Sequence, residues 1–184
     1  MKKILILSGP PGCGKDTAGN AIAKQTPVLL EKFSAPLKSA IPAFLGVPFE
    51  YLERQKDEPI AYGKLPSFRQ MQIDLSEKWA KQLYGDDIFA YLLADRLHRA
   101  KERDVVITDC GFRVELDYLV KEFGMENVLL VRIVRDGCNY AKDSRSDFCL
   151  PTDMKWLRVT NNCGLDSFET EVGDLACRYF KGTL

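Results

Sequence analysis

Short apolar runs alternate with longer stretches of helical period along this 184-residue chain. Lys3-Ile4-Leu5-Ile6-Leu7 has the unbroken apolar character of a strand buried on both faces. A Gly/Pro-rich turn follows, and then a helix over about Lys15–Gln25. Val28 to Phe33 predicts a second strand, Asp104 to Asp109 a third, Asn127 to Val134 a fourth and Trp156 to Thr160 a weaker fifth. Apolar strands separated by helices predict an α/β fold, a five-stranded parallel sheet flanked by helices in three layers.

The gap between the second and third strands predicts a helical insertion at about 35–103, not a linker. Phe68, Met71, Leu75, Trp79 and Leu83 recur at steps of three and four, as on one face of a helix. Ile88, Phe89, Leu92, Leu93 and Leu97 mark another helix, with Asp86 or Asp87 placed to cap it. Asp136 to Pro151 is polar and aperiodic, either a disordered loop or a functional lid. The chain therefore divides into a core, about 1–34 and 104–184, the insertion, and a lid at about 136–151.

Composition narrows the function. Lys and Arg number 26, Asp and Glu 26, so formal charge is zero and no overall basic field draws the chain to nucleic acid or a membrane. The apolar run Ile4–Leu7 is too short for a signal core or a membrane span, which points to the cytoplasm. The six cysteines include no C-x-x-C pair and His98 is the lone histidine, so free thiols are expected, not disulfides or a zinc centre.

The decisive segment is Ser8-Gly9-Pro10-Pro11-Gly12-Cys13-Gly14-Lys15-Asp16-Thr17. It holds G-x-x-x-x-G-K directly after a strand and before a helix, the context of a phosphate-binding loop. Gly9, Gly12 and Gly14, with Cys13 between them, let backbone amides converge on a polyanion, and the helix N-terminus adds unsatisfied donors. Lys15 supplies a full charge to the outer phosphates, and Thr17 a hydroxyl to an inner one. A dinucleotide fingerprint would need its third glycine at Thr17 and has no lysine in the turn.

Asp16 stands where the motif has Ser or Thr on Mg2+. Its carboxylate could hold Mg2+ directly or through water, or accept a proton; an acid is also what a first helical turn favours. Asp109 ends an apolar strand at the carboxyl edge of the sheet, where ligands of such sheets bind, and is the expected partner in the metal shell.

The chain resembles the phage-type deoxynucleoside monophosphate kinases of the P-loop class. Gly14-Lys15-Asp16-Thr17 is that family's loop variant, and Phe33-Ser34-Ala35-Pro36-Leu37-Lys38 is similar to its F-A-x-P-L-K segment. Pro66-Ser67-Phe68-Arg69-Gln70 resembles T-P-R-x-L-x, Asp109-Cys110-Gly111-Phe112-Arg113-Val114-Glu115 resembles D-x-R-F-x-x-E, and Asn162-Cys163-Gly164 its N-x-G turn near adenine. Gly111 stands where the family has Arg, with Arg113 two positions on, and Ser144-Arg145-Ser146-Asp147 replaces H-x-S-E.

The resemblance implies ATP and Mg2+ as cofactors, a deoxynucleoside 5′-monophosphate as acceptor and, as a suggestion, a homodimer in the host cytoplasm. Two polyanionic substrates repel, so cations must converge on them. Lys38, Arg69 and Arg113 are candidates for the acceptor, and Glu115 for orienting such a cation or touching sugar or base. Arg135, Lys142 and Arg145 are candidate lid cations, with Arg135, Asn162 and Gly164 on the donor nucleotide. The alternatives are a P-loop kinase for another small acceptor, such as phosphomevalonate or dephospho-coenzyme A, and an ATP-binding sensing or DNA-binding module.

Overall fold

The computed structural model describes residues 2–60, 63–100, 103–141, 147–150 and 152–184. Five strands form one parallel sheet: β1 (Ile4–Ser8), β2 (Leu29–Glu31), β5 (Val105–Cys110), β6 (Val128–Val134) and β7 (Trp156–Thr160), in the order β2-β5-β1-β6-β7. Strand β1 is central, paired to β5 on one side and β6 on the other, and every residue in it is buried. That placement explains its unbroken apolar sequence, since neither face meets water. The chain leaves β1 for β2 on one flank and later crosses to β6 on the other, so a crevice opens at the carboxyl end of β1.

Helix α1 (Lys15–Gln25) has the predicted bounds. It lies close on β5 at Gly19, where an added Cβ would come within 2.5 Å of Thr108 Cγ2. Helix α8 (Leu165–Lys181) buries Phe168, Val172, Ala176 and Tyr179, one stripe of helical period, in a core shared with Leu5, Leu7, Ile22, Leu129 and Val131. The Tyr179 hydroxyl donates to this core's backbone, reaching the carbonyls of Asn127 at 2.7 Å and Ile4 at 3.3 Å. Helix α7 (Arg113–Phe123) connects β5 to β6. No helix among the described residues is long and apolar enough to cross a membrane.

The chain forms two compact units, Met1–Phe33 with Ala90–Leu184, and Ser34–Phe89. The second ends near Phe89, earlier than the expected 103, because α6 (Ile88–Arg99) commits most of its length to the first. Ala90, Leu93, Ala94 and Leu97 are buried, Lys2 Nζ donates to the Leu97 carbonyl, and Arg96 Nε bonds Glu31 at 3.2 Å.

The second unit contains α2 (Ala35–Leu45), α3 (Phe49–Arg54), an antiparallel pair β3 (Pro59–Ile60) and β4 (Leu65–Ser67), and a helical run. Its core is Ile41, Leu52, Ile60 and Phe68, with Met71 and Leu75 packed on it. The run starts as α4 (Phe68–Asp74), widens into a π-helical turn (Leu75–Ala80) and closes as α5 (Lys81–Tyr84). The wider turn corrects the expected helix face. Phe68, Met71 and Leu75 stay on the core, whereas Trp79 and Leu83 are rotated off it and exposed.

Candidate active site

Backbone shape makes the loop after β1 a cradle. Gly14 caps α1 in a left-handed conformation, φ 106°, and no side chain bonds the helix's first amides at this cap. An unsubstituted α carbon is also required by space: a Cβ on Gly14 would meet Asn161 Nδ2 at 2.5 Å, and one on Gly9 would meet the Ile133 carbonyl oxygen at 2.3 Å. Asn161 Nδ2 in turn donates to the Cys13 carbonyl at 2.9 Å. The loop is therefore clamped by Ile133 in β6 and by Asn161 just after β7, and Asn161 is a supporting residue that no motif flagged.

Lys15 is buried, its ammonium donating to the carbonyls of Gly9 at 2.6 Å and Pro10 at 2.9 Å. A full positive charge is thus pinned inside the loop, where it is least screened by water. Burial pushes the Cys13 thiol above its usual pKa, with the Lys15 ammonium pulling the other way; the net effect keeps it a neutral thiol in the core. Thr17, half-buried, faces an open hollow lined also by Asn20, Lys24, Leu165 and Glu169. Arg135 lies over the loop, its Nη1 3.5 Å from the Gly12 carbonyl.

Asp16 lies in the first turn of α1 and Asp109 near the carboxyl end of β5. Asp16 Oδ1 accepts from the Lys32 ammonium at 2.6 Å and the Thr108 hydroxyl at 3.1 Å. Asp109, next in chain after Thr108, accepts the Phe33 amide at 2.8 Å, next in chain after Lys32. The close approach at Gly19 brings the first turn of α1 onto Thr108. Neither Thr108 nor Lys32 was identifiable from the sequence, since each depends on which strand lies beside α1.

The expected acceptor residues divide. In the second unit, Lys38 and Arg69 belong to one charged cluster. Glu53 pairs with Lys38 at 3.7 Å and Lys56 at 3.3 Å; the Lys56 carbonyl accepts the Arg69 amide at 2.9 Å, and Arg69 Nε bonds Asp57 at 2.5 Å. Arg69 is the second residue of α4, whose N-cap Ser67 accepts the Gln70 amide at 3.2 Å. The Arg69 hydrogen bond holds the Asp57 carboxyl below its ordinary pKa. Lys56 is a third cation here that the sequence did not single out.

Arg113 and Glu115, in the first unit, take other duties. Glu115 is buried and its carboxylate accepts the amides of Gly111 at 3.0 Å and Phe112 at 3.1 Å, capping α7. That gives Glu115 a structural duty at the start of α7, beside the sugar, base or cation contact that the resemblance implies. Arg113 pairs with Asp117 at 2.6 Å and donates to the Cys149 carbonyl. With Arg132, which pairs with Asp147 at 3.1 Å, it anchors the far end of the polar stretch. Asn162 Oδ1 accepts the Asp136 amide at 2.9 Å at the near end, and Gly164 is the N-cap of α8. Lys142 and Arg145, the remaining lid cations, lie outside the described residues.

Solved kinases share this architecture. A sugar kinase from Janibacter sp. HTCC2649 aligns at TM-score 0.51 and 13% identity over 98% of this chain and 95% of its own. A gluconokinase from Sinorhizobium meliloti 1021 aligns at TM-score 0.53 and 13% identity over 98% and 94%. No family model and no curated protein matches the sequence. What the chain shares with these enzymes is the fold, a parallel sheet flanked by helices.

Proposed function

We propose that this protein transfers the γ-phosphoryl group of ATP to a deoxynucleoside 5′-monophosphate, giving the diphosphate and ADP. The observation that carries the proposal is the cradle from Gly9 to Thr17, with the Lys15 ammonium buried against its carbonyls. Lys15 neutralises charge on the transferring group, and the first amides of α1 hold the donor's phosphates.

The donor chemistry around Asp16 and Asp109 fits Mg2+, a cation held by one or two carboxylates together with substrate phosphates. When bound, it would supply charge neutralisation between donor phosphates. Arg69, Lys38 and Lys56 are the cations for the acceptor's phosphate. Since that phosphate already carries a nucleophilic oxygen, no general base is required of the chain. Arg135 steadies the loop at Gly12, while Arg145 and Lys142 are assigned to closure by the resemblance alone.

A second acceptor class is favoured by the solved neighbours, a sugar kinase and a gluconokinase. There the acceptor would be a hydroxyl group, which must lose a proton on attack. A coupled ADP-release assay with ATP-Mg2+ and each deoxynucleoside monophosphate, gluconate, phosphomevalonate and dephospho-coenzyme A separates these readings. Phosphorylation of a deoxynucleoside monophosphate above all others is expected. Turnover with gluconate alone would replace the acceptor, and turnover with none would overturn the kinase reading.

A further inference from the structure

Lys32 has no place in the phosphate-loop motif, yet it reaches that motif's most unusual residue. Its Nζ lies 2.6 Å from Asp16 Oδ1, the oxygen that also accepts the Thr108 hydroxyl. Lys32 is not a loose surface cation: two-thirds of its side chain is covered. The backbone is fixed on both sides of it. Arg96 Nη2 donates to the Lys32 carbonyl at 2.7 Å while its Nε bonds Glu31, and the Phe33 amide donates to Asp109. The residue after β2 thus delivers an ammonium to Asp16 in the first turn of α1.

Charge arithmetic gives the contact a purpose. Lys15 and Asp16 sum to zero, so an acid after the loop lysine cancels the charge a polyanion needs. Adding Lys32 restores a net single positive charge. We propose that Lys32 is a positioning residue of the phosphate site: its ammonium neutralises Asp16 and competes with a divalent cation for that carboxylate. Lys32 thereby sets how strongly nucleotide binding depends on metal. The inference rests on the ATP-binding half of the function proposed above and is independent of the acceptor.

Titration calorimetry tests it, with ATP in EDTA and ATP with saturating Mg2+, on wild type, Lys32→Met, Lys32→Arg, Asp16→Asn and the Lys32→Met/Asp16→Asn pair. The quantity read is the factor by which Mg2+ improves ATP affinity. Lys32→Met should raise that factor on the order of tenfold, the scale of one unit charge near a protein surface. Lys32→Arg should keep it within about threefold of wild type, and in the Asp16→Asn background Lys32→Met should change it by less than about threefold. Thermal melting of each variant confirms that it is folded.

A wild-type factor in Lys32→Met, or an equal rise in both backgrounds, overturns the proposal; the second result would make Lys32 a distant charge that does not act through Asp16. Wild-type protein that binds ATP but phosphorylates no deoxynucleoside monophosphate overturns only the acceptor. Wild-type protein that binds no ATP overturns both.

Discussion

The loop from Gly9 to Thr17 and the charged cluster around Glu53 and Asp57 hold their positive charges in opposite ways. The loop is made of backbone: Gly9 and Gly14 have no room for a Cβ, and the one ammonium inside is buried against carbonyl dipoles. The cluster is made of side chains, with Lys38, Lys56 and Arg69 partly exposed and each held beside a carboxylate. Packing fixes the first, so salt and pH should barely alter it. Mutual charge fixes the second, so its geometry belongs to a particular ionic condition.

Four substitutions sharpen that contrast. Lys15→Ala should cut phosphoryl transfer by at least about a thousandfold, since it removes the buried charge to which the proposed function assigns the transferring group. Single-turnover kinetics would show it, with the melting temperature moved by only a few degrees; near-normal transfer would mean the loop is not the donor site. Gly9→Ala sets a methyl 2.3 Å from the Ile133 carbonyl oxygen and should cost about 2–4 kcal/mol in urea unfolding. A wild-type midpoint there would show the loop yields as readily as the cluster.

Arg69→Met should raise KM for the acceptor by about 10- to 100-fold, the scale of a lost charge-assisted hydrogen bond, with ATP affinity unchanged. Equal losses for both substrates would erase the distinction between the regions. The smallest effect belongs to Asp57→Asn. Asp57 has a depressed pKa in the folded state, chiefly through the Arg69 hydrogen bond. Its contribution to stability is therefore present above the ordinary carboxylate pKa and is lost as pH falls through the lower folded value. Solvent screening of this exposed pair limits it to a few tenths of a kcal/mol. Melting curves at pH 2.5–5 should show a slightly shallower acid slope in the variant.

The same contrast governs what could be read from the sequence. The strand, loop and helix of the cradle are local, and α1 runs from Lys15 to Gln25 as its pattern predicts. Strand β2 stops at Glu31, short of the predicted Phe33, and past that point the Lys32 carbonyl bonds Arg96 and the Phe33 amide bonds Asp109. Thr108 and Asn161 reach the loop from strands and turns distant in sequence, with no spacing rule to announce them. Glu115 drew notice by its place in a motif, and that place is also the third position of α7, where a glutamate caps. Arg69 was legible because it opens an amphipathic helix; its partner Asp57, across the β3–β4 pair, was not.

The widened turn at Leu75–Ala80 makes the second unit tolerant of a change in chain length in an unusual place. A π turn holds roughly one residue more than an α turn, so a single deletion between 75 and 80 can be absorbed by tightening the spiral. Lys81 to Tyr84 would then keep their orientation, whereas the same deletion within α4 would turn everything beyond it by about 100° around the axis. Trp79 and Leu83 face water in this arrangement, and Ser76 and Ala80 take the buried side of the turn. This turn is thus the one stretch of the run that can lose a codon without changing which residues after it meet water.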